Sequence, residues 1–424
     1  GYEKNLQFSE DPLPVFHSLQ KKYSSGLVTV PTVGAGTVNT EFEILTGMRQ
    51  HDFGVSEYPY KTVLKSKMSE SICTDLKKLG YSTHAVHNNE ATFYGRNTVF
   101  SNIGFDTFCS MEYMNGLTDS PNGWSNDDVL SREIMKTLDS TSGPDFTMAI
   151  TVQSHGKYDG IALDDPTIKV TGAPEGKEQA YEYYVNEIHE VDRMIDTLIK
   201  ELSNRKEETV LVLYGDHLPS LDIQKDDLSN ANLYQTQYVV WDNMNLKKKT
   251  KNLHAYQLYA EVLDRIQIHE GMITKYHQQT KHRSKLYLTG LTTLSYDLLY
   301  GDNYAYDGEN PFKQTELQMG TEPVKLTSVQ KTKSGYRVVG SGFTPYCKVY
   351  YDGTLVESEW ISSECLQLQD EFELDEADKK DSGEPETEVT EPRDVPNAFV
   401  VEVQSDDGVV LSSTQAYPAS QVKK

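Results

Sequence analysis

The sequence predicts an α/β fold with a mostly parallel sheet sandwiched by helices, followed by a smaller all-β sandwich. Residues 1 to about 300 alternate short apolar runs with helix-like stretches, a pattern typical of parallel sheets covered by helices. One of these stretches is a long amphipathic helix. After residue 321 the pattern changes to short alternating strands separated by Asp-Gly turns, which is typical of a small β-sandwich.

The strands of the first domain are predicted from five apolar runs bounded by turn residues. They comprise residues 26–31, 82–87, 146–152, 209–214 and 237–241. Between the third and fourth runs, apolar side chains recur at helical spacing over residues 180–204, which predicts an amphipathic helix. The positions that share its apolar face are Val185, Ile188, Val191, Ile195, Leu198 and Leu202.

The second domain is predicted to span residues 322–424, after a first domain of residues 1–321. Its strands are expected at residues 336–340, 348–351 and 398–404. Residues 369–396 consist mainly of Asp, Glu, Ser, Thr and Pro, so they cannot bury enough apolar surface to offset the entropy of ordering. We therefore expect a mobile acidic insertion there.

The composition excludes several classes of protein. The 424 residues carry a formal net charge of −24, so the chain is expected to avoid nucleic acid and to repel anionic surfaces unless a local basic site or a metal intervenes. We find no run of about 20 apolar residues and no signal peptide, so we expect no membrane-spanning segment. The cysteines have no metal-ligand spacing and are expected to be thiols, with a Cys347–Cys365 pair left open.

Thr37 follows a glycine turn and precedes an apolar helical stretch. Gly34 and Gly36 allow the backbone to turn sharply and to approach a ligand closely. The free amide groups and the dipole of a helix N-terminus favour an anion, so a phosphoryl group or its acceptor hydroxyl is expected there. A plain helix N-cap is the alternative interpretation of this segment.

Asp216 and His217 follow the apolar run of residues 209–213 almost directly. In open α/β sheets, ligands bind at the carboxyl ends of the strands. A carboxylate oxygen beside an imidazole nitrogen suits manganese, zinc or magnesium. Taken alone, the pair is explained about as well by a tight turn with a capping aspartate.

The segment around Thr37 resembles the nucleophile region of lipoteichoic acid synthases and related phosphoglycerol transferases, which belong to the alkaline phosphatase/sulfatase superfamily. Residues 87–96, 151–155 and 215–217 resemble further motifs of that family in the same order, within a match over about residues 8–320. The C-terminal domain, with Gly342-Phe343 at an early turn, resembles the IPT/TIG immunoglobulin-like fold.

The resemblance implies a role for seven residues and one divalent metal ion, with manganese preferred and magnesium or zinc as alternatives. It implies that the nucleophile is Thr37, that the metal ligands are Thr37, Asp216 and His217, and that the substrate contacts are His87, Tyr94, Arg96 and His155.

The chemistry of phosphodiester transfer agrees with these roles. Arg96 offers a planar fork for phosphate oxygens. His87 and His155 can donate to an oxygen or move a proton to the leaving alkoxide. An ordinary ion pair is the alternative for Arg96, and a structural strand-end histidine is the alternative for His87.

The chain departs from the family pattern in two places. Tyr94 and Gly95 stand where the family often has Trp and Asn. The family also begins with a strand that ends in an acidic metal ligand, and Glu3, Glu10 and Asp11 are poor substitutes for it. We therefore expect a fragment that lacks this first strand, one metal-binding carboxylate and the membrane-spanning segments upstream.

The function implied by the resemblance is transfer of glycerol phosphate from a phosphatidylglycerol-like lipid to polyglycerol phosphate or a glycan. The expected location is the outer face of a bacterial membrane, reached through the absent upstream segments. Two alternatives stay open: a hydrolase of the sulfatase or phosphodiesterase type, and a non-catalytic surface adhesion protein with a degenerate enzyme domain. A sulfatase would need a formylglycine motif, and none of the four cysteines lies in one.

Overall fold

Buried apolar strands and the helices that cover them form the first 320 residues, as the sequence pattern predicts. The computed structural model describes residues 3–54, 56–282, 284–369, 372–374 and 391–423. The helices are α1 (Pro14–Lys22), α2 (Thr37–Thr46), α3 (Ile72–Lys77), α4 (Arg96–Asn102), α5 (Val129–Asp139), α6 (Glu178–Asn204), α7 (Ala255–Arg265), α8 (Met272–Gln279) and α9 (Tyr287–Leu299). No helix among these described residues has the length and apolar character needed to cross a bilayer.

The strands of this part begin and end within a few residues of the predicted ones, and several short strands were not predicted. They are β1 (Gln7–Phe8), β2 (Ser24–Thr29), β3 (Ser82–His87), β4 (Thr107–Ser110), β5 (Asp145–Ile150), β6 (Val170–Thr171), β7 (Val210–Tyr214), β8 (Gln235–Asp242), β9 (Leu253–His254) and β10 (Gln318–Met319).

Two four-stranded sheets carry the fold. In the first, β10, β4, β3 and β5 lie side by side in that order and all run parallel. In the second, the order is β7, β8, β2 and β9, and β8 runs antiparallel to both of its neighbours. The predicted α/β class is confirmed. The reversed direction of β8 was not predicted, because an apolar run reads the same in either direction.

A gap separates the two sheets, between β5 and β7. Among the described strands, β5 pairs only with β3, and β7 pairs only with β8. The loops after β5 and β7 lead to His155 and His217, whose rings lie 6.4 Å apart, so both carboxyl ends reach the same edge. A cavity of about 1450 Å³ is lined by residues of both strands. The five residues of β7 are therefore only half-buried, although the sequence predicts a fully buried strand.

Helix α6 covers this region and confirms the predicted amphipathic pattern. Its inward residues Met194, Leu198 and Leu202 pack with Leu130 of α5 and Trp241 of β8 in one apolar cluster. Helix α2 is buried along nearly its whole length and packs on α7. Helix α2 begins at Thr37, and its first turn is hydrogen-bonded to the loop after β7.

The C-terminal part consists of two antiparallel sheets around their own apolar core. Its immunoglobulin-like identity stays a prediction, and most of the predicted acidic insertion lies outside the described residues. Cys347 and Cys365 are free thiols, so the pairing left open by the sequence is absent. The strands are β11 (Lys325–Thr332), β12 (Gly335–Ser341), β13 (Cys347–Tyr351), β14 (Thr354–Val356), β15 (Ser358–Ser362), β16 (Cys365–Leu368), β17 (Ala398–Gln404), β18 (Val410–Ser413) and β19 (Tyr417–Pro418).

The C-terminal part packs directly on the segment that follows β4. The Thr344 hydroxyl donates to the Glu112 carbonyl oxygen at 2.6 Å, and the Tyr113 hydroxyl lies 2.6 Å from the Ser412 hydroxyl. The Tyr113 ring also touches the apolar cores of both parts. Tyr113 is therefore a shared core residue, and the C-terminal part is not a freely tethered appendage.

We expect Tyr113→Ala to lower the free energy of unfolding by less than the roughly 3–5 kcal/mol that removal of a fully buried aromatic ring costs, because the Tyr113 ring is only partly buried. Tyr113→Phe should cost only about 0.5–1.5 kcal/mol, because it removes a single hydrogen bond. Urea unfolding measures both. Tyr304→Ala is the matched control, since that ring is 77% exposed. Equal losses in Tyr113→Ala and Tyr304→Ala would show that the two parts do not share a core.

Candidate functional site

Thr37 is the first residue of α2, at the carboxyl edge of the sheets. Gly36 occupies the N-cap position in the left-handed conformation (φ 95°), and no side chain caps the first turn. The N-cap alternative for Thr37 is therefore wrong, because Gly36 holds that position. The Thr40 hydroxyl donates to the Asp216 carbonyl oxygen at 2.8 Å, which ties the first turn of α2 to the loop after β7.

The structure brings Thr37, Asp216 and His217 together. The Thr37 hydroxyl oxygen lies 3.4 Å from His217 Nε2, and this nitrogen lies 3.2 Å from an Asp216 carboxylate oxygen. His217 Nδ1 lies 2.8 Å from the Leu218 carbonyl oxygen. Nδ1 therefore carries the proton and donates it to that carbonyl, which leaves the Nε2 lone pair directed at the other two donors.

These three donors fit a divalent metal ion. Ligands about 2.0–2.2 Å from one ion lie roughly 3–3.5 Å from each other, which matches the separations seen here. The backbone hydrogen bond at Nδ1 is the orientation that metal-bound histidines usually have. Within the described residues, no group of three or more His, Cys, Asp or Glu side chains has metal-binding geometry.

His155 lies beside this group, at the end of the loop after β5. Its Nδ1 lies 2.8 Å from the Gly156 carbonyl oxygen, and its ring packs edge-on against Trp124 at 5.1 Å. The Trp124 indole N–H donates to the same carbonyl at 2.9 Å, and the Asn122 amide donates to the His155 carbonyl at 3.0 Å. The loop that contains Asn122 and Trp124 therefore positions His155.

His87 is the last residue of β3 and is almost fully buried. Its Nδ1 lies 2.9 Å from the Ile150 carbonyl oxygen on β5. Burial, together with the charges of Arg96 and His155, lowers the pKa of His87 well below its usual value. The ring is therefore neutral near pH 7. It can accept a proton or a hydrogen bond, but it does not supply a positive charge to a phosphate.

Arg96 does not present a free guanidinium to the site. Its side chain is only 1% exposed and forms a two-point ion pair with Glu41, with N–O distances of 2.6 and 3.2 Å. A third nitrogen donates to the Phe93 carbonyl oxygen at 3.3 Å. Burial opposes the charge on Arg96, yet the adjacent Glu41 carboxylate raises its pKa above the usual value. The structure thus agrees with the ion-pair alternative for Arg96, in buried form.

Tyr94 has a strained backbone, with φ at 62° and ψ at 9°. This conformation stacks its ring on Tyr58 with the centroids 5.9 Å apart. The ammonium group of Lys61 lies 5.0 Å from the Tyr94 centroid and 5.3 Å from the Tyr58 centroid. Non-glycine residues hold such conformations mainly where surrounding contacts enforce them, often at functional sites. The aromatic pair therefore forms a wall next to Arg96.

Sequence reasoning missed two buried carboxylates that organise the site. Glu41 lies one helical turn after Thr37, and that spacing is the only sequence signal for its position. Asp127 accepts hydrogen bonds from the Val152 and Gln153 amides and from the Asn88 side chain, at 2.9–3.2 Å. It joins the ends of β3 and β5, and burial raises the pKa of Asp127 to about 7.

Comparison with known proteins identifies relatives that match about half of the chain. A protein of Rhizobium meliloti (strain 1021) named for cyclic beta-1,2-glucan modification is 30% identical over 262 residues, which cover 58% of this chain and 40% of that protein. Lipoteichoic acid synthase 2 of Bacillus subtilis (strain 168) is 23% identical over 197 residues, 45% of this chain and 29% of that protein. The chain thus spans less than half the length of these relatives.

Two solved structures have a similar fold. The Streptococcus pyogenes phosphoglycerol transferase GacH, in complex with sn-glycerol-1-phosphate, superposes with a TM-score of 0.61 at 22% identity, covering 74% of this chain and 86% of that one. Lipoteichoic acid synthase LtaP of Listeria monocytogenes gives a TM-score of 0.51 at 18% identity, covering 64% and 72%. The family model described as Sulfatase matches residues 1–309, and this chain therefore belongs to the sulfatase family of enzymes.

Proposed function

We propose that this chain transfers glycerol phosphate from a phosphatidylglycerol-like lipid to an envelope polymer or glycan, with Thr37 as the nucleophile. The observation that carries the proposal is the convergence of Thr37, Asp216 and His217 at the uncapped N-terminus of α2. Unpaired amides at that position favour a phosphate group. The similarity to a phosphoglycerol transferase solved with sn-glycerol-1-phosphate and to lipoteichoic acid synthase 2 supports the choice of substrate.

In the first step, Thr37 Oγ attacks phosphorus, a new O–P bond forms, and the bond from phosphorus to the diacylglycerol oxygen breaks. The Thr37 proton leaves as the hydroxyl reacts, and the diacylglycerol oxygen takes up one proton. In the second step, a hydroxyl of the acceptor attacks the glycerophosphoryl-threonine and Thr37 regains its proton. His87 and His155 are the groups proposed to hold and return these protons.

Thr37, Asp216 and His217 would hold one divalent ion, for which we propose manganese. When bound, such an ion lowers the pKa of a coordinated hydroxyl and neutralises charge on the phosphoryl oxygens. Arg96 is proposed to act indirectly, by keeping Glu41 and the Tyr94 wall in place. We place the reaction at the outer face of a bacterial membrane, where both proposed substrates occur.

Hydrolysis is the alternative outcome of the same chemistry, since water can replace the acceptor in the second step. A formylglycine sulfatase is disfavoured because the nucleophile position holds Thr37 rather than Cys or Ser. The cysteines do not offer another nucleophile for a sulfatase: Cys73 and Cys109 are buried, and Cys347 and Cys365 belong to the C-terminal part. The non-catalytic alternative is disfavoured by the retained donor geometry at Thr37.

We also propose that an extended polypeptide segment fills the gap between β5 and β7. Both strand edges are unpaired within the described chain, and both line the cavity. A parallel strand in this position would join the two sheets into one and bury the half-exposed residues of β7. Its carboxyl end would reach Thr37, where an acidic residue would complete the metal ligands.

Thr37→Ala should lower turnover by at least about three orders of magnitude, because a lost nucleophile is not replaced by binding contacts. Release of diacylglycerol from phosphatidylglycerol in the presence of Mn²⁺ measures it. Thr37→Ser keeps a hydroxyl and is the matched control, with at least partial activity. The free energy of unfolding should change by less than about 1 kcal/mol. Unchanged turnover in Thr37→Ala would remove the covalent step.

Arg96→Met should lower the free energy of unfolding by about 3–5 kcal/mol, because it leaves the Glu41 carboxylate buried without its partner. The double variant Glu41→Gln with Arg96→Met should recover much of this loss. Urea unfolding of the two single variants and the double variant gives the coupling between them. If Arg96→Met keeps its stability and loses only glycerol phosphate binding, Arg96 contacts the phosphate directly.

The proposal that an extended segment fills the gap can be tested with a synthetic peptide. The peptide has lysines at its amino end for solubility, then five Val and Ile residues, and it ends in Glu. We expect it to slow hydrogen exchange of gap-facing amides in Asp145–Ile150 and Val210–Tyr214 by at least about tenfold, since strand pairing protects amides. The same peptide with a central Pro is the control, because Pro removes a ladder hydrogen bond. Equal protection by both peptides, or protection by neither, overturns the gap proposal and leaves the Thr37 proposal intact.

A further inference from the structure

Helix α9 is apolar on both of its faces. Its inner face buries Tyr287, Leu291 and Leu298 in the core. On the outer side, large apolar side chains face solvent, which is uncommon for a helix on the surface of an acidic protein. Their exposed fractions are 74% for Leu286, 43% for Leu288, 63% for Tyr296 and 53% for Tyr300.

Charged groups are few on this helix, and the Asp52 carboxylate of a neighbouring segment accepts a hydrogen bond from the Thr292 hydroxyl at 2.9 Å. Between the apolar residues, the outer face carries Thr289 and Thr293, which are exposed. The one charged residue of α9 is Asp297, and its carboxylate is engaged by the Tyr304 and Ala305 amides at 3.0 and 2.9 Å. The face is therefore a mix of aliphatic, hydroxyl and tyrosine groups.

A basic segment precedes the helix. Residues 271–296 contain three lysines and one arginine and no Asp or Glu, in a chain whose net charge is −24. Lys281 and Lys285 are exposed, immediately before Leu286. The local charge is thus opposite in sign to that of the whole molecule. Beyond Tyr300 the sequence turns acidic again, so the basic and apolar features are confined to one surface.

We define the α9 surface as Lys281, Lys285, Leu286, Leu288, Tyr296 and Tyr300, and we propose that it docks on an anionic lipid bilayer. Helices that lie in a membrane interface combine basic residues with Leu and aromatic side chains in this way. Tyr rings prefer the headgroup level, and each lysine near an anionic surface adds attraction. The proposal concerns binding alone and does not depend on the function of Thr37.

The position of the α9 surface suits a lipid-modifying site. The Tyr300 ring lies 6.3 Å from Phe53, which packs edge-on against Phe42 of α2 at 5.3 Å. Thr37 begins the same helix, and a helix of ten residues is about 15 Å long. The α9 surface therefore lies beside the helix that carries Thr37.

Charge complementarity favours a bilayer over a second copy of the chain. The net charge of −24 opposes approach to a second copy and to an anionic membrane alike, but at short range Lys281 and Lys285 are attracted to anionic headgroups and repelled by their own copies. An isologous dimer would also place Lys281 and Lys285 near their own copies. The experiment therefore has to distinguish membrane docking from self-association through α9.

Vesicle flotation in EDTA tests the proposal, because EDTA removes any metal bridge at Thr37. We expect the chain to bind phosphatidylcholine vesicles that contain about 30% phosphatidylglycerol or about 30% phosphatidylserine, with similar affinity for both. It should not bind vesicles of pure phosphatidylcholine. Leu286→Ser with Leu288→Ser, and separately Lys281→Glu with Lys285→Glu, should each weaken binding by at least about tenfold. All variants should keep the wild-type melting temperature.

The matched controls lie on the C-terminal part, where Leu355 and Ile361 are 47% and 50% exposed. Leu355→Ser with Ile361→Ser, and Lys325→Glu with Lys348→Glu, should bind vesicles as the wild type does. Absence of wild-type binding to anionic vesicles overturns the proposal, as do equal losses in the controls. A dimer detected by light scattering that disappears in the Leu286→Ser and Leu288→Ser variant, without vesicle binding, assigns the α9 surface to self-association instead.

Discussion

The junction between the start of α2 and the loop after β7 constrains the whole candidate site. Two hydrogen bonds hold it: the Thr40 hydroxyl donates to the Asp216 carbonyl oxygen at 2.8 Å, and the Gly34 amide donates to the Leu218 carbonyl oxygen at 3.0 Å. Because α2 is buried along its length, the junction cannot shift without disturbing the core. Thr37 is therefore presented to Asp216 and His217 by the packing of the fold, and its position does not depend on a bound ligand.

The Glu41–Arg96 pair sets the electrostatics next to Thr37. A buried ion pair contributes little net charge to its surroundings, so it does not create the positive environment that a phosphate needs. His87 adds none either, because burial keeps it neutral. In the proposed reaction, the attraction for the phosphate would then come from the amides at the start of α2 and from the proposed metal ion. Because Arg96 is paired and His87 is neutral, we expect anion binding to depend on the proposed metal ion more strongly than the sequence analysis predicts.

Much of the fold follows from local patterns, whereas the contacts that define the site do not. The run at 82–87 and the helical period over 180–204 depend on neighbouring residues, and both predict their elements well. The direction of β8 depends on its connections, which the pattern does not encode. The partners of Arg96 and Asp127 are 55 and 25 residues away along the chain. In the sequence, an arginine that binds phosphate cannot be distinguished from one that forms a buried ion pair. Only the fold brings Glu41 next to Arg96.

The gap beside β7 and the α9 surface are both apolar, but the partners that we propose for them differ. In the gap, unpaired backbone groups line up beside apolar side chains, and only another strand can satisfy both at once. Along the interior of α9 the backbone groups are paired within the helix, so the exposed Leu side chains and Tyr rings present apolar surface without unpaired backbone groups. A lipid interface provides that environment, and the adjacent lysines suit its anionic headgroups. Backbone satisfaction is thus the criterion that separates a site for polypeptide from a site for lipid in this molecule.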